Sequence, residues 1–327
     1  VFSNNSESEN NWKFFYYIIE HKGKVVLATF FTSALSKDDM LAPSDVSMKI
    51  EEFRKTDPYY LTSKSFMMGS LLTNGNHLFI DRHHTLWKKA IILLLNEIWK
   101  EQDKQRASVL FLRDFDTPDD ELRVFMMDQG FIKLDSLENN IVRNEALKEP
   151  DDFFQSNLNQ KKRYYLRNDV LQFEDQFEVG FDDYCEADLP HMFDLYKHIK
   201  EGSLSLNTFD LPFKLFEALH KSELFEILII RTRADRKMAS VVFCYKNANN
   251  YFPLIIGLDK TIDTSMNIYK QTLYQLIKRG LNLKMKNIHL GLTASTTKHK
   301  LGADSIKQMG FAQLKDHFNQ AFIQSLH

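Results

Sequence analysis

The order of elements in residues 86–134 returns about 180 positions later, and this recurrence restricts the chain to a duplicated architecture. A helical stretch opens near Leu86 and another near Met266. Apolar runs that predict strands begin at Val109 and Ile288, and Gly130-Phe131 is matched by Gly310-Phe311. Identity between the copies is thin, so the duplication is one of structure and not of a short repeat array. A chain of 327 residues allows two ordinary domains. The reading divides it into a first unit at 1–150 and a second at 151–327.

Local patterns fill in the units. Trp12 to Ile19 and Val25 to Phe31 read as two strands joined by the turn His21-Lys22-Gly23-Lys24. Trp87, Ile91, Leu94, Leu95 and Ile98 fall on one helical face. Thr117-Pro118-Asp119-Asp120 reads as the cap of a helix over 119–128, closed by Gly130. In the second half, Leu189, Met192, Phe193, Tyr196 and Ile199 predict an amphipathic helix. Strands follow over 225–231, 238–245 and 251–258, then a helix over 268–283 and a strand over 287–292. A short helix is expected over Asp304–Met309, ended by Gly310. Asp151 to Leu171 lacks Pro and Gly and is expected to be one helix joining the units; residues 1–11 read as a frayed end. The expected class is α+β: two units, each a mixed, mostly antiparallel sheet flanked by helices.

Composition removes several functions. Lys and Arg number 42 against 44 Asp and Glu, which argues against a DNA-coating protein. Cys185 and Cys244 are too few for a disulfide framework or a cysteine zinc site, and fit a reducing, cytoplasmic compartment. With mean hydropathy −0.36 and a longest greasy run of Ile91–Leu95, no membrane span is expected. No leader is evident, and Val1 in place of Met is compatible with a piece of a longer protein. His83-His84 lacks further ligand spacing, so no metal is expected. The G-x-S-x-G, H-E-x-x-H and P-loop patterns are absent.

Each unit runs strand, strand, strand, helix, strand, helix, strand, with Gly-Phe near its end. That order resembles the GCN5-related N-acyltransferase (GNAT) superfamily, and two such units resemble its tandem FemAB-like members. The most specific text is Gly291-Leu292-Thr293-Ala294-Ser295-Thr296-Thr297-Lys298-His299-Lys300-Leu301-Gly302-Ala303, with the helix text from Ile268 and the basic stretch Leu158–Arg167 beside it. The resemblance implies transfer of an acyl or aminoacyl group to an amine, in cell-envelope or small-molecule biosynthesis. It also implies a groove in the second unit, with the first a degenerate scaffold.

Lys298 is the leading candidate, an ammonium placed to hold a phosphate or carboxylate or to stabilise an oxyanion; the plain alternative is a solvated loop lysine. Arg163 and Arg167 are four apart on one helical face and could clamp a diphosphate, or pair with nearby acids. Thr293 and Ser295 alternate beyond a strand and would both face substrate if it continued. The fold resemblance makes Tyr269 and Tyr251 candidate proton donors or groove residues, although most such tyrosines are core residues. His299 is a candidate general base.

One departure concerns the donor. The turns before the two main helices, Asp81–Thr85 and Asp259–Ser265, contain no glycine, whereas the family cradles a pyrophosphate on a Gly-rich turn. The co-substrate therefore stands between acyl-CoA and another carrier, an aminoacyl-tRNA or an acyl-carrier protein. The alternative to an enzyme is a binding module that keeps the fold without catalysis.

Overall fold

Alternation decides the first elements. Phe15, Tyr17 and Ile19 share one face of β1 (Lys13–His21) and pack on a core, whereas Tyr16 and Ile18 point outward. β1 pairs antiparallel with β2 (Lys24–Lys37) about Lys22-Gly23, both of which have positive φ. The computed structural model describes residues 12–40, 42–116, 119–201, 204–262 and 264–315; the expected frayed end and the Thr117-Pro118 part of the cap lie outside them. There follow α1 (Ser44–Arg54), β3 (Thr62–Met68), β4 (Phe79–Ile80), α2 (Trp87–Gln105), β5 (Val109–Asp116), α3 (Asp120–Asp128) and β6 (Ile132–Arg143). Then come α4 (Pro150–Asn157), α5 (Gln160–Asp169), β7 (Phe177–Phe181), α6 (Leu189–Lys200), α7 (Phe213–His220), β8 (Phe225–Thr232), β9 (Met238–Lys246) and β10 (Asn250–Leu258). The chain continues through α8 (Ile268–Asn282), β11 (Asn287–Gly291), α9 (Ser295–Lys300) and β12 (Asp304–Leu314). Among the described residues no helix is long and apolar enough to cross a membrane.

The structure is mixed α and β and separates into two compact units. The N-terminal unit comprises the described residues of Phe2–Leu137, Ser205–Leu211 and Lys307–His327; the C-terminal unit comprises those of Glu138–Leu204 and Pro212–Ile306. In the N-terminal unit the strands run β1-β2-β3-β5-β12, with β4 beside β2 and only β3 and β5 parallel. Trp87, Ile91, Leu94, Leu95 and Ile98 of α2 are buried against Phe31, Phe66 and Phe311, as their spacing requires. Asp119 caps α3 by accepting from the Leu122 N–H at 3.0 Å. In the C-terminal unit the order is β6-β11-β10-β9-β8-β7, with β10 and β11 parallel. Leu228, Ile230, Val242, Ile277 and Ile288 are almost wholly buried, each worth about 2 kcal/mol.

Three expectations are corrected. Asp304–Met309 is not a helix but the start of β12, whose Met309 and Phe311 are buried against β5. Gly310 stops no helix: it sits at a register shift, where an added Cβ would lie 2.6 Å from the Phe111 ring. The glycine that follows the last helix of the C-terminal unit is Gly302 (φ +104°), the counterpart of Gly130 (φ +83°). The joining segment is two helices, because Asn159 turns outward after Leu158 and caps α5 through the Lys162 N–H.

The boundary also differs from a division at residue 150. It falls inside β6 and inside β12. β6 follows α3, yet its residues 140–143 pair with β11; β12 follows α9, yet its residues 308–314 pair with β5. Each unit is completed by the strand that follows the last helix of the other half.

Candidate active site

The parallel pair β10 and β11 touches at only two positions, Asn250↔Asn287 and Tyr251↔Ile288. Beyond them the strands part. Pro253, which brings no N–H, lies just past the last pair, and β10 shifts register against β9 between Pro253 and Ile255. At the apex Phe252 and His289 stack, with ring centroids 4.2 Å apart and planes 17° apart. His289 Nε2 lies 3.2 Å from Asn250 Oδ1, which also accepts from Asn287 Nδ2. Nε2 therefore carries the hydrogen. Nδ1 is left as a bare lone pair, buried and without a partner among the described residues. Burial lowers the imidazole to a pKa of about 4.

β11 ends at Gly291 (φ +81°), and Ala294 (φ +56°) turns the chain into α9. This short helix brings Lys298 inward, 3% exposed. Its Nζ donates to the Gly291 carbonyl at 3.2 Å, and among the described residues it has no ion pair. Burial lowers its pKa to about 8. The same carbonyl accepts from Asn140 Nδ2 at 2.9 Å. That fully buried amide on β6 also donates to Leu292 O and to Ser295 Oγ. Asn140 Oδ1 accepts from Ser305 Oγ at 3.1 Å, and Ser305 Oγ lies 2.7 Å from His299 Nε2. Since the Ser305 hydroxyl donates to Asn140, it accepts from His299, whose hydrogen is therefore on Nε2.

The structure thus brings Lys298, Ser295 and His299 into one network with Asn140 and Ser305, which the sequence reading missed, as it missed His289 at the apex of the parting. No local motif marks Asn140, which lies 151 positions before Gly291. The conspicuous text has split roles. Leu301 and Ala303 are core residues, and a Cβ on Gly302 would meet Leu158 at 3.1 Å and Phe153 at 3.3 Å. Thr293 and Ser295 do not alternate on a strand, because β11 has already ended; Thr293 is half-buried in the turn.

Tyr251 is corrected outright. It is fully buried, and its hydroxyl donates to Glu226 Oε1 at 2.9 Å. Glu226 is in turn held by Arg279 at 2.5 Å and Lys246 at 3.2 Å. Burial pushes the phenol far up, so this is a core hydrogen bond and not a surface for substrate. Arg163 is committed as well: its Nη1 donates to Gln155 O at 2.9 Å and Leu158 O at 2.6 Å, closing the end of α4. Arg167, four residues on, is exposed. Tyr269 is half-buried on α8, and burial pushes its pKa up to about 12, so it keeps its proton at neutral pH.

The glycine-free turns are closed by their own side chains. Before α8, the Asp259 carboxylate accepts from the Thr261 N–H, the Thr261 hydroxyl and Lys237, each at 2.7 Å. Burial pushes this carboxyl up, but those hydrogen bonds hold it below its ordinary value. Before α2, Asp81 accepts from the His83 N–H, and Arg82 lies 3.7 Å over the Trp87 ring. In the N-terminal unit β3 and β5 pair in parallel as far as Met67↔Phe111. Past that point Arg113 donates to Ser70 O, Thr73 O and Asp114.

A comparison with curated protein sequences finds no match. Residues 154–300 match the family model for the acetyltransferase (GNAT) domain. Among solved structures, FemX is similar over 96% of this chain and 90% of its own, with TM-score 0.63 and 10% identity. A tandem GNAT protein from the clavulanic acid biosynthesis pathway is similar over 93% and 83%, with TM-score 0.52 and 7% identity. L-PGS of Bacillus licheniformis is similar over 81% and 84%, with TM-score 0.51 and 13% identity. Residues 154–300 therefore carry the likeness to the GNAT acetyltransferase domain, and the chain as a whole has the fold shared by FemX and a tandem GNAT protein.

Proposed function

We propose that the protein is an N-acyltransferase that moves an acyl or aminoacyl group from an activated carrier to an amine acceptor. The groove is the parting of β10 and β11, and Lys298 is its charged group. The observation that carries this reading is the burial of the Lys298 ammonium without a carboxylate partner among the described residues. Burying an unpaired charge costs stability, so its retention in a groove points to use. The acceptor amine attacks the activated carbonyl, the carbonyl oxygen takes the negative charge, and the carrier, taking up the proton that the amine gives up, leaves as that oxygen reforms its double bond. An ammonium at Lys298 stabilises either the oxyanion or the carrier's phosphate, and Asn140 fixes the turn that aims it.

Asp259 bears on the carrier. A pyrophosphate at the turn before α8 would meet an anion already bonded there. That favours an aminoacyl-tRNA or an acyl-carrier protein over acyl-CoA. In the N-terminal unit the corresponding parting is occupied by Arg113, which favours a scaffolding role. The test is transfer to amine acceptors from acyl-CoA, acyl-carrier protein and aminoacyl-tRNA, by the parent chain and by Lys298→Ala. Turnover that falls at least a hundredfold in the variant supports the reading. A carrier that binds but is never consumed overturns it in favour of a binding module.

A further inference from the structure

We infer that the outward face of the β1–β2 hairpin docks the protein on an anionic lipid surface. Tyr16 is 69% exposed, Ile18 66% and Phe79, on the adjoining β4, 57%. They form one patch: Tyr16 is opposite Phe30, Ile18 opposite Ala28, and Ala28 opposite Phe79. Phe14 and Tyr16 each lie against Phe30, at 6.5 Å and 6.0 Å between centroids with planes 27° and 30° apart. The core-facing residues of the same strand, Phe15, Tyr17 and Ile19, already supply the packing that the hairpin needs. The outward residues lie outside that core and add only cross-strand contacts to one another, and a contiguous exposed patch of this kind marks a contact surface.

Charge selects the occupant. Lys22 and Lys24 stand exposed at the hairpin tip, against one exposed acid of the strand, Glu20; Lys13 is exposed at the other end of β1, on the face opposite the patch. Tyrosine and phenylalanine flanked by lysine suit the headgroup boundary of a bilayer that carries negative charge. A second copy of this chain fits less well. Antiparallel pairing along the edge strand β1 would set Lys13 of one copy against the His21–Lys24 tip of the other, like charge on like.

The test is co-sedimentation of the full chain with phosphatidylcholine vesicles, with and without phosphatidylglycerol. Binding is expected only to the anionic vesicles and should weaken with added salt. Lys22→Ser with Lys24→Ser should lower the partition about tenfold or more. Tyr16→Ser with Ile18→Ser should abolish it while the chain keeps a cooperative melt, because the core-facing residues of β1 are untouched. Tyr16→Trp adds a reporter to the chain's three tryptophans, and a blue shift of emission on adding anionic vesicles is expected beyond that of the parent chain. No binding to anionic vesicles overturns the proposal. So does binding that survives the Tyr16 and Ile18 changes, or a concentration-dependent dimer in sedimentation velocity that those changes abolish.

Discussion

Lys298 pulls stability and function in opposite directions. With its pKa lowered by burial to about 8, the folded state disfavours the charged form. Below pH 8 both folded and unfolded chains hold the proton, and the folded state carries the full penalty. Between pH 8 and about 10.4 the unfolded chain still binds the proton while the folded chain has released it, so stability rises with pH. The gain is up to about 3 kcal/mol, seen as a denaturation midpoint that climbs over that window. Lys298→Met should remove the climb and leave the melting temperature at neutral pH equal to or above the parent's, because Asn140 still satisfies the Gly291 carbonyl. The same variant should lose transfer activity; a variant both less stable and fully active would show Lys298 to be structural. His289 and His77 give the mirror case at low pH, since burial lowers each to about 4. Below about pH 6.5 the unfolded chain takes up protons that the folded chain refuses, so stability falls between pH 6.5 and 4. Urea titrations across that range check this, and His289→Phe should flatten part of the slope.

At the scale of elements, what is local was legible in the sequence. The β1–β2 hairpin follows from alternation and a Lys-Gly turn, and α2 from apolar residues at helical spacing. Two kinds of error stand out. Asp304–Met309 carries Ile306 and Met309 three apart, a helical spacing, but pairing with β5 makes it a strand; tertiary contacts override so short a signal. Tyr251 appeared to be a groove residue because nothing in its neighbours reveals Glu226, 25 positions away, as its partner. The turn between β11 and α9 shows the remaining gap. Its text was conspicuous, yet the side chain that holds it, Asn140, comes from a distant strand. Asn140→Leu should therefore leave the Leu292 carbonyl and Ser305 without their buried partner. A loss of about 2–3 kcal/mol in chemical denaturation is expected, with transfer lowered because Lys298 is no longer aimed. Unchanged stability would mean that the turn holds itself.

For the whole molecule, the duplication was visible as an offset of about 180 residues, but the exchange of closing strands was not, because a repeat read along the chain assigns each strand to the helix before it. The exchange decides which fragments can fold. A fragment of residues 151–327 keeps everything that follows the first half, yet it lacks β6. β11 then loses its antiparallel partner over Asn287↔Arg143, Ile288↔Val142 and His289↔Ile141. Val142, fully buried, leaves a hole in the core, and the turn carbonyls lose Asn140. That fragment also exposes Met309 and Phe311, which belong to the core of the N-terminal unit. A fragment of residues 132–306 keeps β6 and omits most of β12. The expected outcome is that 132–306 is monomeric and melts cooperatively, while 151–327 aggregates or lacks a transition, as read by sedimentation velocity and far-ultraviolet circular dichroism. Equal folding of both would mean that β6 is dispensable to β11 and that the compact unit begins, as the sequence suggested, near residue 150.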